Sequence, residues 1–298
     1  MVTAKKMLAE AGLVLAWSSG FIGARMIGAN DSIYLVLFWR FALVATMLSP
    51  WLAVSLAMGL PLREIAKQVF LGFLAMFCFI TLAVKAVATG VPPATTALIA
   101  ALQPLATAIF AGPVLGEKIS IGQWVGSVVA LAGVALATGG AVGHAPLWAY
   151  GLAVVATLCF VSATLLSKRT ATSMPILAAL AIQSAISAIC TLPLAIQDGG
   201  ITPHLTAQFV EVVLWFVFLT TAMGYGLYWF CLRESAASHV ATLIYLTPPV
   251  TAVWAYVMFG ESITIKATLG FLICIVAVYI TGISPSAYKR ARLEERDS

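Results

Sequence analysis

The chain is poor in charge. Asp, Glu, Lys and Arg together make 9% of its 298 residues, against about 25% in an average soluble domain. With 62% hydrophobic residues, it lacks the polar groups to cover a water-facing surface, and lipid is the consistent solvent. Acids are missing where ion coupling would need them. Each Asp and Glu falls at a break between apolar runs, in the C-terminal tail or, as with Glu10 and Glu211, only a turn or so inside a run. A proton or sodium site is usually built on an intramembrane carboxylate. Facilitated diffusion or exchange is therefore expected rather than direct ion coupling, with Glu211 the reserve candidate. Cys78, Cys159, Cys190, Cys231 and Cys274 stand singly inside apolar stretches, which argues against a disulfide framework or thiolate metal site. His144, His204 and His239 lack metal-ligand spacing. No HExxH, aspartate pair or Ser–His set lies within the apolar runs, so the chain is not expected to be an enzyme. No cofactor is expected. The net charge of +5 is small and one-sided, which argues against a nucleic-acid partner.

What the chain has is apolar length. A bilayer core needs about twenty apolar residues per helix. Runs of that order cover residues 7–27, 33–56, 66–86, 92–114, 120–140, 147–167, 174–196, 207–231, 236–259 and 264–283. Turn-formers separate them, as in Asn30-Asp31-Ser32, Gly90-Val91-Pro92-Pro93, Gly143-His144-Ala145-Pro146 and Asp198-Gly199-Gly200. The loops are too short for a soluble domain, which argues against a docking or sensor protein. Lys5-Lys6 before the first run imitates a signal peptide, but the run continues without a clear cleavage site and reads as the first span.

Charge orients the spans. With the N-terminus inside, twelve cations fall on the cytoplasmic side: Lys5, Lys6, Arg63, Lys67, Lys118, Lys168, Arg169, Arg233, Lys289, Arg290, Arg292 and Arg296. Three, Arg25, Lys85 and Lys266, fall outside, and Arg40 lies within a span. This bias predicts both termini in the cytoplasm; the minimal loops suit a plasma (inner) membrane protein whose surroundings are the lipid bilayer.

The chain also repeats itself. Ala97–Gly126 aligns with Ala241–Gly270 at one constant offset, pairing Pro104 with Pro248, Gly116 with Gly260, Glu117 with Glu261 and Gly126 with Gly270. A weaker echo pairs Gly12, Leu13 and Phe21 with Gly151, Leu152 and Phe160. Two halves of five spans follow: residues 1–140, residues 141–285, and a basic tail over 286–298. Five is odd, so the second half would enter the membrane from the opposite side. Such inverted pairs are a frequent basis of alternating access.

Each half ends with an apolar helix carrying a central proline, then Gly-Glu, then a glycine-containing helix: Pro104, Gly116-Glu117, Gly126 and Gly133, and Pro248, Gly260-Glu261 and Gly270. The preceding spans end in Ala83-Val84-Lys85 and Cys231-Leu232-Arg233. Leu15-Ala16-Trp17-Ser18-Ser19-Gly20-Phe21 and Phe38-Trp39-Arg40-Phe41 complete a pattern that resembles the EamA type of the drug/metabolite transporter superfamily. The resemblance implies an all-α membrane protein of ten transmembrane helices in a five-plus-five inverted repeat. It implies a cavity lined by helices 1–4 and 6–9, with 5 and 10 outside. It implies transport, often export, of amino acids or other small metabolites. A nucleotide-sugar or phosphate-ester exchanger is the second reading of the cargo, and an intramembrane enzyme the remoter one.

Several residues stand out as carriers of that function. Pro104 and Pro248 each remove a backbone hydrogen bond in mid-span. They are candidate hinges, or static kinks that serve packing. Arg40 could hold a substrate carboxylate or phosphate through its planar fork, or could reach the headgroups. Trp17, Ser18, Ser19, Phe77, Thr81, Gln103, Phe160, Thr164, Tyr225, Tyr228, Tyr245 and Thr247 would supply rings with a few polar contacts, as small-molecule pockets do, or would simply pack. Glu117 and Glu261 favour a positive helix end. Gly122, Gly126 and Gly133 form a small-residue face for a neighbouring helix or for a second protomer in a homodimer.

Overall fold

A computed structural model describes residues 2–27, 32–91, 93–138, 145–170, 174–260 and 264–283. The basic tail beyond residue 286, Glu261 and His144 lie outside them. Among the described residues all regular structure is helical. The helices are α1 (Val2–Met26), α2 (Ile33–Ala57), α3 (Leu62–Ala88), α4 (residues 93–115), α5 (Ile121–Thr138), α6 (Leu147–Thr170), α7 (Ile176–Gln197), α8 (Ala207–Glu234), α9 (Ala237–Phe259) and α10 (Ile265–Ile283). Eight are long and apolar enough to cross a membrane, and α5 and α10 are shorter apolar helices. Their 18 and 19 residues still fall within the roughly 17–25 that span a hydrocarbon core. The outward side chains are apolar, among them Leu8, Val54, Leu147, Val257 and Tyr279, as a lipid solvent permits.

The helices group into two compact units. One takes residues 1–78 and 171–230, the other residues 79–170 and 231–298. Each therefore draws on both halves of the sequence. In the first unit, α2 and α7 pack along their lengths, and α1 packs against α8. α3 meets α7 at Gly72, where a Cβ would lie 2.5 Å from the Gln183 Cα. In the second unit, α5 and α10 are the closest pair. A Cβ on Gly133 would lie 2.8 Å from the Gly270 carbonyl oxygen, and one on Gly126 would lie 2.9 Å from that of Ala277. The glycine face of α5 is thus taken up inside the chain by α10.

Element boundaries recur at a nearly fixed spacing. α4 breaks at Ala101-Leu102 and resumes over Gln103–Leu115. α9 breaks in a 3₁₀ turn, Ile244–Leu246, and resumes over Thr247–Phe259. Both resumed segments have 13 residues, start 144 positions apart, and end on a left-handed glycine: Gly116 at φ 70° and Gly260 at φ 65°. π-helical stretches interrupt α3 at Phe73–Cys78 and α8 at Phe216–Tyr225. α2 and α7 begin 143 positions apart and carry Pro50 and Pro193 at that same spacing.

Local chemistry fixes several ends. Ser32 caps α2 by accepting from the Leu35 N–H at 3.3 Å. Ser120 and Gln123 form a reciprocal capping box at the start of α5. Ala236 offers no side-chain cap to α9. The Glu117 carboxylate substitutes for it, accepting from the Ala237 N–H at 2.9 Å, the Ser238 N–H at 3.3 Å and the Ser238 hydroxyl at 2.8 Å. Glu117 therefore serves a helix start distant in sequence rather than its own neighbour. Lys168 donates to the carbonyls of Leu232 and Ser235, both at 2.8 Å, and so closes the end of α8.

Candidate functional site

The π-helical stretch of α8 organises the first unit. A wider helical turn rotates side chains out of the usual register, and such stretches concentrate at functional sites. Here Thr220, Thr221 and Tyr225 become buried together. Thr221 accepts from the Arg40 Nε at 2.6 Å. Thr220 and Ser19 hydroxyls lie 3.0 Å apart. Tyr225 donates to the Ala75 carbonyl at 2.9 Å, satisfying a backbone group in the opposing π-helical stretch of α3. Trp17 packs against the rings of Tyr225 and Tyr228, with centroids 5.1 and 5.2 Å away.

Arg40 is the centre of this cluster. It sits about two turns into α2 and is only 3% exposed. The Phe216 and Phe41 rings lie 4.9 and 5.1 Å from its guanidinium carbon, within cation–π range. Its Nη2 is buried with no hydrogen-bond partner among the described residues. No ion pair joins it to a carboxylate among them. Burying a guanidinium carries a desolvation penalty, and an Nη2 without a partner leaves part of it unmet. An anion presented to Nη2 would offset it.

The second unit holds the other candidates. Gln103 is 1% exposed with Nε2 unpartnered, and Thr107, one turn on, is fully buried with its hydroxyl unpartnered among the described residues. Pro104 is buried between them in sequence, at the start of the resumed helix. In the counterpart segment the Thr247 hydroxyl donates to the Ile244 carbonyl at 2.7 Å, the very carbonyl that Pro248 frees from its helix. That kink is satisfied locally; the one at Pro104 places an unused amide donor beside it.

The remaining predicted residues are dispersed. Ser18 and Thr164 donate to their own helices, to Val14 and Phe160 carbonyls, at 2.6 and 2.9 Å. Phe160 is fully buried against Phe79, centroids 4.9 Å apart. Phe77 packs on Phe73 at 5.5 Å. Thr81 is half-buried on α3. Tyr245 is buried in the core formed with Ala130 and Val134 of α5 and Cys274 and Ala277 of α10, apart from the other named groups.

Sequence reasoning did not single out Thr221, Thr220, Thr107 or Phe216. The hydroxyls carry no distinguishing spacing, because a π-helical stretch breaks the 3.6-residue period on which a face is read. It also passed over Gln68 and Gln183, two amides within apolar helices, and such groups normally demand partners. Gln183 Nε2 donates to Gln68 Oε1 at 2.7 Å, and Trp229 Nε1 donates to Gln183 Oε1 at 2.9 Å.

Eight helices long and apolar enough to cross a membrane, with paired helix breaks, describe a polytopic helical membrane protein. The sequence model of the EamA-like transporter family matches the chain twice, over residues 5–139 and 147–283. The chain belongs to that family, and with it to the drug/metabolite transporter superfamily. It is 22% identical over 193 residues to the uncharacterized transporter YvbV of Bacillus subtilis (strain 168), covering 64% of this chain and 63% of that protein. It is 26% identical over 98 residues to an uncharacterized transporter of Archaeoglobus fulgidus, covering 33% of this chain and 34% of that one. The matched stretches thus span less than two thirds of either relative. A solved crystal structure shares the fold at a TM-score of 0.77 and 16% identity, with 93% of this chain and 97% of that chain covered.

Proposed function

We propose that the protein carries a small carboxylate-bearing metabolite, an amino acid or similar zwitterion or an organic anion, across the plasma membrane by alternating access. It works as an exporter, facilitator or exchanger, with both termini in the cytoplasm. The observation that carries the reading is Arg40: buried, held on Thr221 and left with an unpartnered Nη2. A side chain needed only for packing would be a poor choice for such a place, since an apolar residue costs less there. The twice-matched family model and the recurrence of helix breaks at a 144-residue spacing support two inverted halves. In that arrangement Pro104 and Pro248 are the bending points, and Trp17 and Tyr225, beside Arg40 in the first unit, contact the cargo. A phosphate-ester cargo would call for several cations, and Arg40 is the lone one buried among the described residues.

The test is counterflow in proteoliposomes loaded in turn with amino acids, nucleosides, vitamins and small carboxylates. Saturable exchange of a carboxylate-bearing class, lost in Arg40→Met, is the expected result. A folded protein that exchanges none of them contradicts the proposal.

A further inference from the structure

We infer that the cargo is a net monoanion, an organic carboxylate without a compensating ammonium, and that the empty carrier, not the loaded one, is the form that moves charge. This rests on the carrier reading above and narrows it.

The inference comes from counting charges around Arg40. A zwitterion brings an ammonium that must find an acceptor once out of water. The described acids of the first unit are all committed or outside. Glu10 pairs with Lys6 at 3.8 Å, and Glu64 with Lys67 at 2.5 Å. Asp198 accepts from the Ser32 hydroxyl at the end of α7, and Glu211 is exposed one turn into α8. None lies at the depth of Arg40. The nearby hydroxyls each already hold a hydrogen bond, Thr221 with Arg40, Thr220 with Ser19 and Tyr225 with the Ala75 carbonyl, and their neutral oxygens do not balance the charge of an ammonium. The site offers one positive charge, an unpartnered donor and aromatic surface, which is the complement of a carboxylate on an apolar body.

The electrical consequence follows directly. Guanidinium plus one carboxylate sums to zero, so the occupied site crosses the membrane field without doing electrical work. The vacant site carries +1. Exchange of cargo for cargo uses only occupied crossings and should ignore voltage. Net flux requires the vacant return and should respond to it. One negative charge is carried per cycle, so an inside-negative potential favours exit, by about fifty-fold in final concentration ratio per 100 mV. The missing intramembrane carboxylate then has a physical explanation: the potential itself can drive the cycle, and no coupled ion is needed.

Two matched sets of probes test the charge. Pyruvate and 3-phenylpropionate are the carboxylates, alanine and phenylalanine their zwitterions, and ethylamine and 2-phenylethylamine the amines. In detergent, the carboxylates should raise the melting temperature of the purified full chain, and the zwitterions and amines should not. The carboxylate shift should vanish in Arg40→Met and shrink in Arg40→Lys, which keeps the charge should the first variant fail to fold. In proteoliposomes, net exit of the stabilising carboxylate should follow a potassium–valinomycin potential while its homoexchange stays constant. Stabilisation by a zwitterion at least as strong as by its carboxylate overturns the inference and leaves the carrier intact. So does voltage-independent net flux, or carboxylate binding unchanged in both Arg40 variants. Stabilisation by no carboxylate overturns it as well. Absence of exchange with every solute in the broader panel would instead sink the carrier reading itself.

Discussion

α2 and α7 begin 143 positions apart in the two halves and pack against each other in one unit. At the matching position, α2 carries Arg40 and α7 carries Gln183. Both are buried, at 3% and 1% exposure. Their surroundings differ in kind. Gln183 donates to Gln68 and accepts from Trp229, so both ends of its amide are used. Among the described residues, Arg40 has one hydrogen bond, to Thr221, and a buried Nη2 with none. A neutral group in a closed network ties three helices together. A charged group in an open one waits for a ligand. The position occurs once in each half: Gln183 ties the bundle together, and Arg40 is the copy proposed to read the cargo.

Substitutions can break this contrast from either side. The largest effect is expected for Arg40→Met, which should lower counterflow about 30- to 100-fold, the worth of a hydrogen bond to a charged group, while unfolding free energy changes by no more than about 1 kcal/mol because a buried charge is also removed. Gln183→Leu should do the reverse. It leaves the Trp229 N–H and the Gln68 carbonyl oxygen unpaired, at a cost of about 2 kcal/mol, readable as a lower melting temperature, with exchange per folded molecule unchanged. Thr221→Val removes the hydroxyl that orients the guanidinium and should raise the apparent KM about fivefold, from the loss of roughly 1 kcal/mol, with maximal exchange retained. The smallest effect belongs to Glu117→Gln, in the other unit. It keeps an acceptor for the start of α9 but loses the charge, and should cost about 0.5 kcal/mol in thermal unfolding with no change in KM.

Much of the helical layout was legible in the sequence. The expected run 33–56 is the helix Ile33–Ala57, and 147–167 is Leu147–Thr170, because in lipid a helix lasts as long as its apolar stretch. The repeat around Pro104 and Pro248 was legible too, and the helices break beside both prolines. Arg40 announced itself as a charge in an apolar run. Its partner did not: Thr221 is one hydroxyl among many, brought to the site by a π-helical stretch that sequence periodicity does not encode. The role of Glu117 was half legible. A carboxylate was expected at a helix start, but the start it serves is that of α9, and only tertiary packing decides that.

The most direct test of the central claim measures exchange and thermal unfolding on the same preparations of Arg40→Met and Gln183→Leu. The account predicts opposite outcomes: a stable protein that does not exchange, and a less stable one that does. If exchange falls in both only as the folded fraction falls, Arg40 is a packing residue and the account is wrong.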